Sequence, residues 1–141
     1  MLKKIYGKKI YGLAVALMMA VLPMAQAAES PVTVAGATTI DGTKAKALFD
    51  KGVVFVDMRT DKDWGAGRIP GAAHLELSKN FTEASLGAKV KKDRDVVMYC
   101  NGVSCLRSSE ASAKAVGWGF KKVHYYRLGF PDWKAAGYPV E

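Results

Sequence analysis

Two unbroken apolar runs, Val53-Val54-Phe55-Val56 and Val96-Val97-Met98-Tyr99, constrain the fold of this chain more than any other feature. A strand with one wet face alternates apolar and polar residues, whereas a strand covered on both faces reads as a continuous apolar run. The first run therefore predicts a strand of a parallel sheet, and the second is a β-rich segment of the same kind. The sequence between and around them supplies helices. Asp41 is placed to cap a helix running to about Lys51, with Ala45, Leu48 and Phe49 on its buried face and Gly52 as its stop. A helical turn is expected over Asp61 to Ala66, a short strand near Ala73 to Leu75, and a loop with a weak helix over Ser78 to Lys92. Beyond residue 106, Leu106, Ala113 and Val116 recur at positions that one helical face accommodates, and Gly117 and Gly119 end that helix. A last strand over Val123 to Arg127 and a short helix over Pro131 to Ala136, opened by its proline, complete the pattern. Strands alternating with helices predict an α/β sandwich with a mostly parallel sheet.

The chain has 141 residues, half of them hydrophobic, which suits one globular domain. Its first residues do not belong to that domain. Lys3, Lys4, Lys8 and Lys9 precede an apolar run from Ile10 to Leu22, followed by Pro23 and Ala25-Gln26-Ala27. That is the pattern of a secretory signal peptide over 1–27, with cleavage after Ala27; an uncleaved anchor is the competing reading. No cysteine lies near the cleavage point to carry a lipid. The expected location is therefore across the inner membrane, in the periplasm, with no membrane association after cleavage. Ala28 to Ala37 is small, Pro-containing and aperiodic, as a flexible segment would be, and the domain is expected over 38–141. Removing four leader lysines lowers the formal charge from +8 to +4. The remaining cluster of Lys89, Lys91, Lys92 and Arg94 is interleaved with Asp93 and Asp95 and reads as a solvated turn, so nucleic acid is not an expected partner.

Chemistry concentrates in Tyr99-Cys100-Asn101-Gly102-Val103-Ser104-Cys105-Leu106-Arg107-Ser108. Here a cysteine leaves an apolar strand and enters a short polar loop that opens a helix. Ligands of open α/β sheets bind at the carboxyl ends of strands, and backbone N–H groups at a helix start stabilise anions. A thiol in such surroundings ionises far more readily than a free one, which makes Cys100 a nucleophile candidate. His74 and His124 lack partners at metal-ligand spacing, so no metal site is expected. Trp64, Trp118 and Trp133 fall at element ends, where packing is the ordinary role.

Several separated motifs, in order, resemble the rhodanese (sulfurtransferase) domain family from about Thr38 to Val140. Val56-Asp57-Met58-Arg59 resembles the family's D-x-R strand end, and Trp64-Gly65-Ala66-Gly67-Arg68-Ile69-Pro70-Gly71-Ala72 its E-[YFW]-x-x-G-H-I-P-G-A segment. Tyr99-Cys100, Gly119-Phe120-Lys121-Lys122-Val123, and Leu128-Gly129 through Trp133 to Ala136-Gly137-Tyr138-Pro139-Val140 follow. The loop is most similar to that of small secreted single-domain members reading Y-C-N-G-x-x-C. The resemblance implies a rhodanese-like three-layer sandwich, its central sheet flanked by helices. It also implies a sulfurtransferase in which Cys100 takes sulfur from a small anionic donor such as thiosulfate and passes it, as a persulfide, to a thiol or cyanide acceptor. No cofactor is implied. Asn101, Gly102, Val103, Ser104, Leu106 and Arg107 would form the loop that cradles the anionic persulfide, with Gly102 allowing its curl. Arg107 is expected either to meet the donor or to tie the loop to a carboxylate such as Asp57. Asp57, Arg59 and Ser108 are expected as supporting residues.

Three departures stand out. Arg68 replaces the usual histidine, Phe130 replaces the second glycine of a G-G pair, and the C-x4-R-S spacing becomes Cys100-x6-Arg107-Ser108, with Cys105 inside the longer loop. In an oxidising compartment Cys100 and Cys105 can form a structural staple or a reversible redox pair, or remain two independent thiols. A redox partner protein accompanies the second of these. Two alternative functions stay open: a phosphatase or arsenate reductase on the same fold, and a non-catalytic redox or binding module with a Cys100 to Cys105 disulfide.

Overall fold

A computed structural model describes residues 23–24 and 28–141. The expected cleavage point after Ala27, and positions 1–22 of the leader, lie outside the described residues. The elements run β1 (Thr38–Thr39), α1 (Gly42–Asp50), β2 (Val54–Asp57), α2 (Asp61–Ala66), β3 (Ala73–His74), α3 (Glu83–Gly87), β4 (Asp95–Tyr99), α4 (Arg107–Gly117), β5 (Lys122–Tyr126) and α5 (Gly129–Ala135). The five strands form one sheet in the order β1-β5-β4-β2-β3, and every neighbouring pair is parallel. The expected α/β architecture with a parallel sheet is thus the one observed.

The unbroken apolar runs have a direct structural cause. Successive residues of a strand face opposite sides of the sheet. Val56, Val96 and Met98 pack with Leu86 of α3 and Ala111 and Ala115 of α4, whereas Phe55, Val97 and Tyr99 pack with Leu48 of α1 and Trp133 of α5. Helices on both faces leave no wet side on which alternation could appear. Trp133 is fully buried and meets Phe49 and Phe55 edge-on at 5.2 and 5.9 Å, so packing is its role. Asp41 caps α1 as its sequence position suggests, accepting a hydrogen bond from the Lys44 backbone N–H at 2.8 Å.

At four points the structure adds to the sequence expectations or departs from them. The edge strand β1 was not foreseen, because two exposed threonines carry no periodic signal. The face of α4 turned to the sheet consists of Ser108, Ser109, Ala111, Ser112 and Ala115, while Leu106 and Ala113 are exposed. Small side chains let this helix lie close to the sheet, and Ser112 meets its hydrogen-bonding need by donating to the Ser108 carbonyl at 2.7 Å. Helix α5 begins at Gly129, two residues before the expected start, with Pro131 inside its first turn.

The fourth concerns residues 28–37. They hold no regular element but are anchored to the domain, with Ser30 only 3% exposed. The Ser30 backbone N–H and hydroxyl both donate to the Val103 carbonyl, at 2.7 and 2.8 Å. Arg127 donates twice to the Ser30 carbonyl, at 3.1 and 2.8 Å, and the Tyr125 hydroxyl donates to that of Pro31 at 2.9 Å. This segment is a strap from the carboxyl end of β5 to the cysteine loop.

Candidate active site

Strand β4 ends at Tyr99, and Cys100 begins the loop that reaches α4. At 1% exposure Cys100 is fully buried, and its carbonyl accepts a hydrogen bond from the Phe130 N–H at 2.9 Å. This contact fixes the identity of Gly129. Its φ is +62°, and a β-carbon there would lie 2.3 Å from the Cys100 carbonyl oxygen. Gly102 also needs a positive φ, +101°, and its carbonyl accepts from the Cys105 N–H at 3.0 Å in a tight turn. That turn brings the two cysteines together: Cys100 and Cys105 are joined by a disulfide, with α-carbons 6.2 Å apart. The structure displays the bonded pair, the state that a structural staple and a reversible redox pair have in common, and not two independent thiols.

The loop ends on α4, whose N-cap, Leu106, has no side chain able to cap. The N–H groups of a first helical turn have no partner within the helix, so this end is open to an anion. Ser108 adds a buried hydroxyl oxygen without a hydrogen-bond partner among the described residues. A cavity of about 450 Å³ faces the disulfide, lined by Thr60, Asp63, Cys100, Asn101, Ser104, Cys105, Leu106 and Arg107. Gly102 and Val103 are not part of that lining; Val103 turns its carbonyl to Ser30 instead. A larger cavity of about 640 Å³ opens among Lys44, Lys51, Lys89, Lys91 and Arg94, beside the first residues of β2 and β4, and contains neither cysteine.

A buried polar network lies beneath the loop. The Arg59 guanidinium grips Asp57, with its Nε 3.0 Å from one carboxylate oxygen and an Nη 2.8 Å from the other, and both residues are almost wholly buried. The Tyr99 hydroxyl donates to Asp57 at 2.7 Å and accepts from the Ile69 N–H at 3.2 Å. Burial, reinforced by the neighbouring Asp57 charge, raises the Tyr99 pKa well above its ordinary value and keeps this phenol a donor. Arg59 extends to the Asn101 amide oxygen at 3.3 Å, and its guanidinium stacks 4.3 Å over the Phe130 ring. The Asn101 amide then donates to Asp63 at 2.9 Å, which holds the Asp63 carboxyl below the usual aspartate range. Asp57 and Arg59 therefore brace the first residue after Cys100 and do not line the cavity.

Arg107 does not reach Asp57, whose oxygens are occupied by Arg59 and Tyr99. It faces Glu76 at 3.8 Å instead. Glu76, Asp63, Gly129 and Ser30 are site residues absent from the sequence expectations. Asp63 carried a readable signal, since Thr60 three positions earlier caps α2 and accepts from its N–H. Glu76, Gly129 and Ser30 reach the loop only through tertiary contacts.

Residues 41–136 match the model of the rhodanese-like domain. The chain is 36% identical over 99 residues to the thiosulfate sulfurtransferase GlpE of Pseudomonas savastanoi, covering 70% of this chain and 87% of that protein. It is also 34% identical over 89 residues, 63% of this chain, to an HTH-type transcriptional regulator of Mycobacterium tuberculosis, of whose length the match spans only 38%. Among solved structures, the rhodanese-like domain of an Anabaena protein superposes with a TM-score of 0.62 at 26% identity, covering 73% of this chain and 77% of that one. The parallel sheet, the buried cysteine at the end of β4 and the match over 41–136 lead to one conclusion: the chain belongs to the rhodanese-like domain family.

Proposed function

We propose that this protein is a rhodanese-type sulfurtransferase that carries sulfane sulfur from an anionic donor such as thiosulfate to a thiol or cyanide acceptor, as a persulfide on Cys100. One observation carries this reading: Cys100 stands at the carboxyl end of a central parallel strand, beside the uncapped start of α4. A thiolate there is stabilised by unpaired backbone N–H groups, so the nucleophile forms without a dedicated base. In the first half-reaction the Cys100 thiolate attacks the outer sulfur of thiosulfate; the donor's S–S bond breaks and sulfite leaves with the electron pair. In the second, the acceptor attacks the outer sulfur of the persulfide and Cys100 departs as thiolate. The loop from Asn101 to Arg107 holds the anionic intermediate, and Asp57, Arg59 and Ser108 support it.

The disulfide imposes a condition on this cycle. While Cys100 is bonded to Cys105 it has no lone thiolate, so reduction precedes any reaction with thiosulfate. The same bond favours a second reading, in which the closed loop is a redox or binding module without turnover. Intact mass measured after reduction and incubation with thiosulfate separates the two. One added sulfur atom that Cys100→Ser abolishes is expected; an adduct surviving in Cys100→Ser overturns the assignment, and no adduct in reduced wild type favours the module. We further propose that residues 1–27 direct export to the periplasm and are removed. Amino-terminal sequencing of the protein from a periplasmic fraction is expected to begin at Ala28, and an intact leader on that protein refutes it.

A further inference from the structure

We infer that the Cys100–Cys105 disulfide is itself a reaction partner, and that it lets the oxidised protein take its sulfur directly from hydrosulfide. This deepens the sulfurtransferase reading above and rests on it for the steps that follow loading. The two sulfurs are not equivalent. Cys100 is 1% exposed and rooted in the fold through its carbonyl, whereas Cys105 is only partly buried and lies near the loop's exit. A nucleophile must approach a disulfide from behind the sulfur it attacks, so Cys105 is the accessible target and Cys100 the leaving group. The environment suits that polarity. A thiolate released at Cys100 stands at the end of β4 and lines one cavity with Leu106 and Arg107 at the uncapped start of α4, and a better stabilised thiolate leaves faster.

The cavity at the disulfide favours a small attacker with little charge. Its ionisable lining consists of one carboxylate, Asp63, and one guanidinium, Arg107, which also faces Glu76 at 3.8 Å, so a single negative charge is enough to meet it. Hydrosulfide is a monoanion with a single heavy atom.

The chemistry balances. Hydrosulfide attacks Cys105 Sγ, the Cys100–Cys105 bond breaks, and the products are a Cys105 persulfide, which keeps the proton hydrosulfide brought, and a Cys100 thiolate. Sulfide sulfur has lost two electrons and the disulfide has gained them. The Cys100 thiolate then attacks the outer sulfur of that persulfide and expels the Cys105 thiolate, which moves the sulfane atom to the buried position. Delivery to an acceptor thiol leaves two reduced cysteines. Closing the loop again requires a two-electron oxidant, for which a disulfide-bearing partner protein is the chemical class.

The test uses wild-type protein in two redox states and two donors. Disulfide-closed protein incubated with sulfide, without reductant, is expected to gain the mass of one hydrogen sulfide and to expose one persulfide and one thiol to alkylation; pre-reduced protein is expected to gain nothing from sulfide. With thiosulfate the preference inverts, and only the reduced form loads. Peptide mapping after rapid alkylation is expected to find the earliest persulfide on Cys105, moving later to Cys100. Disulfide-closed protein that stays unchanged, or is reduced without added sulfur, overturns the inference, as does sulfide loading of the pre-reduced form. A persulfide first seen on Cys100 overturns the order of attack. Failure of the sulfide arm alone leaves the sulfurtransferase reading standing, and failure of the thiosulfate arm alone overturns that reading instead.

Discussion

Substituting Gly129 by alanine tests how rigidly the fold holds the cysteine. Two separate costs arise at this position. A left-handed φ disfavours any residue with a β-carbon by about 1–2 kcal/mol. The added carbon would also sit 2.3 Å from the Cys100 carbonyl oxygen and 3.0 Å from the Gly102 nitrogen, so backbone must move, and forcing a methyl into a filled site costs about 1–3 kcal/mol. The sum is about 3 kcal/mol, a large part of the roughly 5–15 kcal/mol that a domain has. Gly52→Ala is the matched control, because Gly52 has φ +78° and a β-carbon there would meet nothing within 4 Å among the described residues. It carries the conformational cost alone, about 1–2 kcal/mol. Urea unfolding of the two variants with the disulfide closed is expected to show two unequal falls in midpoint at unchanged slope, the difference being the overlap with Cys100. Sulfur loading of the reduced proteins is expected to slow in Gly129→Ala and to match wild type in Gly52→Ala. Equal stability losses in the two variants would refute the claim that α5 locks Cys100 through this contact.

Asp57→Ala leaves the buried Arg59 guanidinium without its carboxylate, and a loss of about 3–5 kcal/mol is expected in the same assay. A loss below 1 kcal/mol, on the scale of an exposed ion pair, would show that the pair is wet. Ser30→Ala removes one of two bonds to the Val103 carbonyl and is expected to cost about 1 kcal/mol, with faster amide exchange in residues 101–105; unchanged exchange there contradicts the strap. The depressed Asp63 pKa gives a pH signature. Its bond to Asn101 contributes stability above the ordinary aspartate value near 3.9, and that contribution disappears as pH falls through the lower folded-state value. Asp63→Asn is expected to flatten the acid limb of the stability profile below about pH 4, and an unchanged limb rules the linkage out.

Local chemistry made the central strands, the capping of α1 and the cysteine loop readable, because each is encoded within a few consecutive residues. Val54 to Asp57 and Asp95 to Tyr99 announce burial on two faces, and Asp41 stands where a cap belongs. The misreadings share a cause. Apolar size selected Leu106 and Ala113 as the inner face of α4, whereas close approach to the sheet requires Ala111, Ser112 and Ala115. Gly129, Glu76 and Ser30 act on the loop from 24 to 70 positions away from the nearest cysteine, and no periodicity encodes such a contact. The carboxylate that Arg107 faces is Glu76 and not Asp57, the example the sequence offers, because Asp57 is already saturated by Arg59 and Tyr99, which only the assembled network reveals.

The strap at Ser30 changes what counts as the working module. The family match spans 41–136, yet the Val103 carbonyl is held from outside it on one side, and the Trp133 indole donates to the Pro139 carbonyl, also outside it, on the other. A recombinant fragment trimmed to the matched limits would keep every residue proposed for the chemistry. It would also strip two hydrogen bonds from the loop that carries them and leave Arg127 without the carbonyl it holds. Sluggish turnover by such a fragment would then reflect a poorly seated loop, so kinetic comparisons within the family are best made between proteins cut upstream of this serine.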